Sequence, residues 1–96
     1  MYLTIPEITE SEVMTSLTTD PDGVNFHVVI GAGTTATRLQ QAAANGEHLP
    51  LVVLAGETQF FALHSVYISG FSVTADMGDT PAMATVSFLA REVEIT

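Results

Sequence analysis

Apolar and polar side chains alternate through much of this chain, with the two-residue period of a β-strand that has one buried face. The clearest case is the segment VNFHVVI, in which Val24, Phe26, Val28 and Ile30 fall on one face. Valine and isoleucine also favour strands because their branched side chains fit a pleated surface. The pattern therefore predicts a strand over Val24–Ile30.

The opening segment has the same alternation, with Tyr2 and Thr4 on one face and Leu3 and Ile5 on the other. Pro6 follows, and proline lacks the amide hydrogen of a strand ladder, so this is an edge strand or a strand end. Apolar or alternating runs predict strands in five further segments, which are 12–18, 49–56, 57–65, 66–75 and 82–96.

One segment has the period of a helix instead. Ala36, Leu39 and Ala43 recur at helical spacing with Ala42 beside them, and together they form an apolar stripe. Thr34 or Thr35 is expected to cap its N-terminus, since threonine side chains accept hydrogen bonds from the first free amides. These signals predict a helix over about residues 34–45.

Glycine, proline and aspartate mark the places where the predicted elements end. Gly46 ends the helix because glycine readily adopts the left-handed conformation. The segment Asp20–Gly23 reads as a turn and Asp76–Pro81 as a loop. Gly70, inside an otherwise strand-like run, indicates a bulge or a bend.

The connections after the helix are short, which favours antiparallel pairing. We therefore expect a single domain over residues 1–96 that is mainly β, of the α+β class. The expected architecture is a small antiparallel β-barrel or sandwich with one α-helix packed on it.

The connection between the predicted Val24–Ile30 strand and the helix resembles a dinucleotide-binding loop. Gly31, Gly33 and Ala36 have the spacing of the Gly-x-Gly-x-x-Ala fingerprint. However, the acidic residue that follows the next predicted strand, Glu57, lies 26 residues after Gly31, beyond the roughly 20 residues expected. Only one segment is long enough for a parallel crossover, so no doubly wound crevice can form. We interpret the glycines as a strand-to-helix connector and expect no bound cofactor.

The composition limits the kinds of partner. Of the 96 residues, 47% are hydrophobic and 14% are charged, so the chain should fold, yet few charges are available to cover its surface. Copies of the chain or other partners are expected to cover part of that surface. The net charge is −9, with Arg38 and Arg91 as the two basic residues. Such a surface repels phosphate, so we expect no nucleic-acid binding and no docking on anionic membranes.

The N-terminus lacks the positive and apolar regions of a signal peptide, and no apolar run approaches the roughly 18 residues of a spanning helix. The default expectation is a soluble protein made in the cytoplasm. Cysteine is absent, which removes disulfides and thiol chemistry.

No motif indicates catalysis or metal binding. His27, His48 and His64 have no spacing that pairs them on one element, and Asp20 and Asp22 are interpreted as turn residues. No sequence motif joins a serine to a histidine and an acid, which leaves open a triad assembled only by the fold. We predict no catalytic residue, no metal site and no enzymatic activity.

Three stretches resemble one protein family. The segment ATRLQQAAANGEHLPLVVL is similar to a helix, its stop and the following strand in the haemolysin-coregulated protein (Hcp) and contractile-phage tail-tube family. The segment FFALHSVYISGFSVTADMGDTPAMATVSFLAREVEI resembles the C-terminal strands of that family, and YLTIPEITES resembles its opening strand. The chain thus resembles a short, divergent member with a compressed first third.

The resemblance implies a small β-barrel with one helix, and subunits that close into rings, commonly hexamers, which stack into tubes. The implied partners are copies of the chain and other tail, sheath or baseplate proteins. The implied location is a phage tail, or the bacterial cytoplasm with secretion through a contractile apparatus. The alternative is a virion decoration or cement protein, or another β-rich surface structural protein.

Matching of elements to the family also implies subunit contacts. They fall in the opening segment and in the Asp76–Pro81 loop, at Tyr2, Ile5, Asp76, Met77, Gly78, Asp79 and Pro81. The other interpretation of the loop is that Gly78 and Asp79 only turn the chain.

Overall fold

Residues 1–74 and 82–96 are described by the computed structural model of the protein, and within them lie six β-strands and one α-helix. The elements in chain order are β1 (Tyr2–Ile5), β2 (Ile8–Thr19), β3 (Asn25–Gly31), α1 (Thr34–Asn45), β4 (Leu49–Ala55), β5 (Phe60–Thr74) and β6 (Met83–Ile95). The predicted Asp76–Pro81 loop lies outside the described residues.

The strands close into a barrel in the order β1-β2-β3-β6-β5-β4, with β4 returning to β1. Each of the six pairings is antiparallel. This confirms the predicted fold class, and of the two expected architectures the barrel is the one formed. β1 ends at Ile5, immediately before Pro6, so the predicted strand end is also confirmed.

Helix α1 connects β3 to β4, which lie three strands apart in either direction around the barrel. The helix must therefore cross the end of the barrel at which β3 ends and β4 begins. Ala36, Leu39 and Ala42 are buried in the same apolar cluster as the strands. The glycine-rich segment thus leads from a strand on one side of the barrel to the helix, which returns to a strand on the opposite side. No parallel βαβ unit is present in the described residues.

The C-terminus of α1 follows the prediction, whereas its N-terminus does not. Gly46 is left-handed at φ 64°, and the next amide, that of Glu47, donates to the Ala42 carbonyl at 2.9 Å. At the other end the capping residue is Gly33 in extended conformation, without a side-chain cap. The prediction of a cap at Thr34 or Thr35 is wrong, because Thr35 is instead buried against the barrel at 3% exposure.

One long strand, β5, replaces the two strands predicted over 57–65 and 66–75. The boundary between the two predicted strands falls at Ser65, where the backbone has a positive φ of 53° and the regular alternation of faces is broken. Leu63 and Val66 are both fully buried although they are three positions apart, a spacing that regular alternation would place on opposite faces. The strand continues through this irregularity because its pairing with β4 and β6 is kept on both sides.

Gly70 marks a second irregularity in the same strand. Ile68 pairs with Phe88, and Gly70 pairs with the adjacent Ser87, so one extra residue is inserted into β5. This is the arrangement of a β-bulge, which the glycine had indicated. With these two irregularities, apolar side chains of β5 pack in or against the core from Phe61 to Phe71.

The barrel interior holds one continuous apolar core. Its largest fully buried side chains are Phe26, Phe88, Leu3, Ile5, Ile30, Leu39, Leu54, Leu63, Val28, Val52, Val66 and Val86. The predicted inward face of β3, with Phe26, Val28 and Ile30, is therefore confirmed.

Candidate assembly surfaces

The outer face of β1, β4 and the first half of β5, together with one residue of β2, is mostly apolar. Strand β4 has the sequence LPLVVLA and therefore carries apolar side chains on both faces, with Val52 and Leu54 directed inward. The apolar residues that strand pairing places on the outer face form what we call the apolar wall, namely Tyr2, Val13, Leu51, Val53, Ala55, Phe60 and Ala62. Thr4 and His64 are polar residues on the same face. A strand with two apolar faces is typical of a sheet that is covered on both sides.

The largest side chains of the apolar wall form a row across four strands. Tyr2 lies between Val13 on β2 and Ala55 on β4, and Ala55 pairs in turn with Phe60 on β5. Tyr2, Val13 and Phe60 are each more than half exposed, at 52%, 56% and 57%. A contiguous exposed apolar row of this kind marks an interaction surface in a soluble protein.

A different surface covers the outer face of the second half of β2, of β3, of β6 and of the second half of β5. Strand pairing aligns Thr18, His27, Ser87 and Gly70 in one row, and Ser16, Val29, Thr85 and Ser72 in the next. We call these eight residues the hydroxyl wall. The strand segments that carry it, 15–19, 25–31, 67–74 and 83–89, contain no aspartate, glutamate, lysine or arginine.

The two walls lie on opposite sides of the barrel. β1 and β4 are the central strands of the apolar wall, and β3 and β6 are the central strands of the hydroxyl wall. In the six-strand ring, β1 is opposite β6 and β4 is opposite β3. The apolar wall and the hydroxyl wall, whose strand segments lack charged residues, therefore face opposite sides of the barrel.

Two side chains of the hydroxyl wall and one from the adjoining β2–β3 turn have the composition of a catalytic triad. The His27 ring contacts Ser87 Oγ through Nδ1 at 2.8 Å and Asp20 Oδ1 through Nε2 at 3.1 Å. With the proton on Nε2, Asp20 accepts and Nδ1 accepts from the serine hydroxyl. The sequence had left such an arrangement open.

A nucleophilic serine also requires a substrate pocket and donors aimed at an oxyanion. The pocket described below is lined by other residues. His27 and Asp20 are also about 40% exposed, at 39% and 44% of their side chains. We interpret Asp20, His27 and Ser87 as a hydrogen-bonded row that joins the β2–β3 turn to β3 and β6.

Arg38 of α1 forms the most extensive ion-pair group among the described residues. Its guanidinium binds both carboxylate oxygens of Glu7 in the β1–β2 turn, and it donates to Glu47 Oε2 at 2.8 Å. The hydrogen bonds from Arg38 hold the pKa of Glu7 and the pKa of Glu47 below their usual range. The pKa of Arg38 is raised for the same reason. This group fastens the helix to the end of the barrel that it crosses.

The opposite end of the barrel holds acids without a comparable arginine. The turns β2–β3 and β4–β5 and the end of β6 meet there, as the antiparallel strand order requires. These segments carry Asp20, Asp22, Glu57, Glu92 and Glu94. At Asp22, hydrogen bonds from the Val24 amide, the Asn25 side chain and the Asn25 amide lower the pKa of the carboxyl group.

A pocket of about 250 Å³ lies where the start of β4 meets β5 and β6. It is lined by His48, Ser65, Tyr67, Leu89, Ala90 and Arg91. The His48 ring packs edge-on against Tyr67 with 3.7 Å between ring centroids. Tyr67 and Leu89 are paired across β5 and β6, and both remain exposed. Within residues 1–74 and 82–96, Arg91 has no carboxylate within ion-pair distance.

The contact residues that the resemblance implied differ in where the structure places them. Tyr2 lies exposed in the apolar wall. Ile5 is 2% exposed and belongs to the core, so its side chain faces away from any neighbour. The expected contacts at Asp76, Met77, Gly78, Asp79 and Pro81 lie outside the described residues. All seven contacts stay predictions.

Sequence reasoning did not select Val13, Phe60 or the outward residues of β4 as surface candidates. One signal could have found the β4 residues, because Leu49–Ala55 is apolar at nearly every position. Such a run predicts a strand covered on both faces. Phe60 gave no comparable signal, since Phe60 and Phe61 are adjacent and the register decides which of them faces out.

The three histidines lie apart on the barrel, in contact with different partners. Among the described residues, no group of three or more histidine or acidic side chains could hold a metal ion. No helix in that part of the chain has both the length and the apolar character needed to cross a lipid bilayer.

Comparison with solved structures finds the same barrel and helix in several proteins. Hcp1 from Salmonella typhimurium gives a TM-score of 0.78 over 98% of this chain and 82% of that chain, at 15% sequence identity. Hcp1 from Flavobacterium johnsoniae gives 0.70 over 98% and 92%, at 12% identity. A chain of the 6-fold symmetrised baseplate of the anti-feeding prophage (AFP) gives 0.56 over 99% and 89%, at 6% identity. No protein-family model and no curated protein sequence matches significantly.

At these identities the likeness is one of fold. The protein has the fold of Hcp proteins over almost its whole length. The resemblance to this family that the sequence indicated is confirmed at that level.

Proposed function

We propose that the protein is a structural, self-assembling subunit of a ring or tube in a contractile phage tail or a type VI-like secretion apparatus. The observation that carries this proposal is the match of nearly the whole chain to Hcp proteins and to a chain of a 6-fold symmetrised baseplate. In this role the ring is a hexamer, and rings stack into tubes or join a baseplate.

The apolar wall supports self-assembly independently of the fold comparison. Its exposed row of Tyr2, Val13 and Phe60 is stabilised if a neighbouring subunit removes it from water, at about 25 cal/mol per Å² of apolar surface. The hydroxyl wall on the opposite side has no such need, because its hydroxyl groups hydrogen-bond to water. The partners in this proposal are copies of the chain and other tail, sheath or baseplate proteins.

The proposal assigns no enzymatic activity. We interpret the hydrogen bonds among Asp20, His27 and Ser87 as structural, because they join the β2–β3 turn to the hydroxyl wall. The proposal also assigns no direct binding to nucleic acid or membrane, since a chain of net charge −9 repels phosphate and anionic lipid. The location that follows is a phage tail, or the bacterial cytoplasm with export through the contractile apparatus.

The first test is negative-stain electron microscopy of the purified chain together with its mass in solution by light scattering. Closed rings with a mass of about six chains of 10.2 kDa are the expected result. Trimers or monomers that bind a capsid lattice would contradict the proposal and favour a virion decoration or cement protein. Monomers at every concentration would contradict both.

A further inference from the structure

The pocket between β4, β5 and β6 lies outside the apolar wall, and the proposed function leaves it without a role. We infer that Phe60 of one copy docks in this pocket on the next copy around the ring, where Glu57 of the first copy pairs with Arg91 of the second. The inference rests on the proposed ring and names the contact that closes it.

The size and lining of the pocket suit a single side chain. Pockets that bind small molecules usually measure about 300–1,000 Å³, and this one is smaller at about 250 Å³. The exposed apolar part of its lining is formed by Tyr67 and Leu89, and His48 packs against the tyrosine. Aromatic side chains that fill such pockets carry much of the energy of protein interfaces.

Apart from Tyr67 in the pocket itself, the exposed aromatic side chains among the described residues are Tyr2 and Phe60, and Phe60 is the one that lies close to an acid, Glu57. Phe60 is 57% exposed and lies at the rim of the barrel, directly after the β4–β5 turn. It cannot reach the pocket of its own copy, because seven residues of extended strand, or roughly 23 Å, separate it from Tyr67. The contact must therefore join two copies.

A contact of this kind joins two different surfaces, as a closed ring with head-to-tail subunits requires. The β4–β5 turn at one end of the barrel meets the β5–β6 face of the next copy. Since each copy has both surfaces, every subunit makes the contact twice, once with each neighbour.

The charge of Arg91, at the edge of the pocket, points to the ion pair that accompanies the aromatic contact. The chain has 11 acidic residues and two arginines, and Arg38 is already bound to Glu7 and Glu47. Arg91 is the other arginine, and it lies at the edge of the pocket without a carboxylate partner among the described residues. Any neighbouring copy brings an excess of carboxylates, so electrostatic complementarity favours a contact at this point.

Glu57 is placed to supply that carboxylate. It belongs to the turn that is closed by the hydrogen bond from the Gly56 amide to the Gln59 carbonyl at 2.8 Å. The turn fixes Glu57 close to Phe60, as Arg91 is fixed two residues from Leu89 on β6. An aromatic anchor and an acid on one copy thus face an apolar pocket and an arginine on the next.

The test is a charge exchange, for which Arg91→Glu, Glu57→Arg and the double variant are compared with the parent chain by light scattering and electron microscopy. We expect each single variant to weaken ring formation roughly tenfold or more through like-charge repulsion, and the double variant to restore it. Thermal unfolding followed by circular dichroism should show that all three variants remain folded, since both positions are exposed.

The outcomes separate this inference from the proposed function. Parent rings that persist in all three variants would overturn the inference and leave the proposed function intact. Loss of assembly in both single variants without rescue in the double variant would assign the residues to different contacts and overturn the pairing. A parent chain that never assembles would overturn both.

Cysteine cross-linking supplies a second readout, and the absence of native cysteine makes it unambiguous. The variant with Phe60→Cys and Leu89→Cys, treated with a short bifunctional maleimide, should give a ladder of covalent oligomers. The matched control with Phe60→Cys and Thr85→Cys moves the second cysteine to the hydroxyl wall and should stay monomeric. Equal ladders from both variants, or a ladder from the control alone, would contradict the inference.

Discussion

The two walls of the barrel cover the same core, yet their outer faces are opposite in character. On the apolar wall, the outward positions of β4 are Leu51, Val53 and Ala55. On the hydroxyl wall, the outward positions of β6 include Thr85 and Ser87. A barrel needs only its inner face to be apolar in order to fold, so the second apolar face of β4 is consistent with the self-assembly that we propose.

The largest expected effect concerns the interior that both walls share. Leu39 of α1 is fully buried in the apolar cluster. Leu39→Asp places an unpaired charge there and removes apolar contacts, which costs about 3–5 kcal/mol or more. A small domain has about 5–15 kcal/mol in total, so the variant should be largely unfolded, as circular dichroism would show.

The matched control is Gln40→Asp, which introduces the same side chain at the next, exposed position of the helix. It should unfold within a few degrees of the parent chain. A folded Leu39→Asp variant would mean that the helix does not pack on the barrel through this face.

The second effect concerns the walls themselves. Replacing Tyr2 and Val13 together by serine removes the exposed apolar pair that spans β1 and β2. Because both side chains are more than half exposed, the stability of the subunit should change little. Ring assembly should be lost or strongly weakened in light scattering, since the apolar surface that neighbours cover is gone.

The control for this variant alters the opposite wall, with Thr18 and Thr85 both replaced by alanine. It should assemble like the parent chain. If the two double variants weaken assembly equally, the difference in character between the walls does not determine which side is covered.

Much of this architecture could be predicted from the sequence, and the walls show where prediction ends. Alternation and the helical stripe located the elements, because local periodicity reports which face is buried. The pairing of Tyr2 with Val13, by contrast, depends on the register across a closed barrel. In β5 the backbone also has a positive φ at Ser65, and the register shifts between Ile68 and Gly70, so the side-chain faces change in a way that simple alternation cannot follow.

The polar groups were beyond prediction for a related reason. Ser87 lies 60 residues from His27, and Arg38 lies 31 residues from Glu7. Only the closure of β3 against β6, and the passage of α1 over the end of the barrel, bring these partners together. No local pattern in the sequence records such contacts.

A smaller effect is expected for the loop that the family resemblance implicated. Replacing Asp79 and Pro81 by alanine should leave the fold unchanged and weaken ring assembly, because the resemblance places this loop at a subunit contact. Light scattering at a series of protein concentrations measures the shift. Assembly at the concentration of the parent chain would remove the loop from the set of contacts and leave the apolar wall as the main surface.

The smallest effect concerns the Arg38 ion-pair group at the end of the barrel that the helix crosses. The pKa values of Glu7 and Glu47 are lowered from 4.5 by hydrogen bonds from Arg38. A lowered pKa in the folded state gives stability that is fully present above the unfolded value of 4.5 and is lost as the pH falls through the folded value. Arg38→Gln should therefore lower the unfolding temperature modestly at pH 7, and the difference from the parent chain should shrink below pH 4.5 and vanish at lower pH.

Arg91→Gln is the matched control, because it removes the other arginine, which has no carboxylate partner within the subunit among the described residues. Its unfolding temperature, measured on the monomer, should follow that of the parent chain across the same pH range. A difference for Arg38→Gln that stays constant down to the lowest pH would show that Arg38 acts through packing of its side chain and not through the two carboxylates. The ion-pair group would then not be what fastens the helix across the end of the barrel.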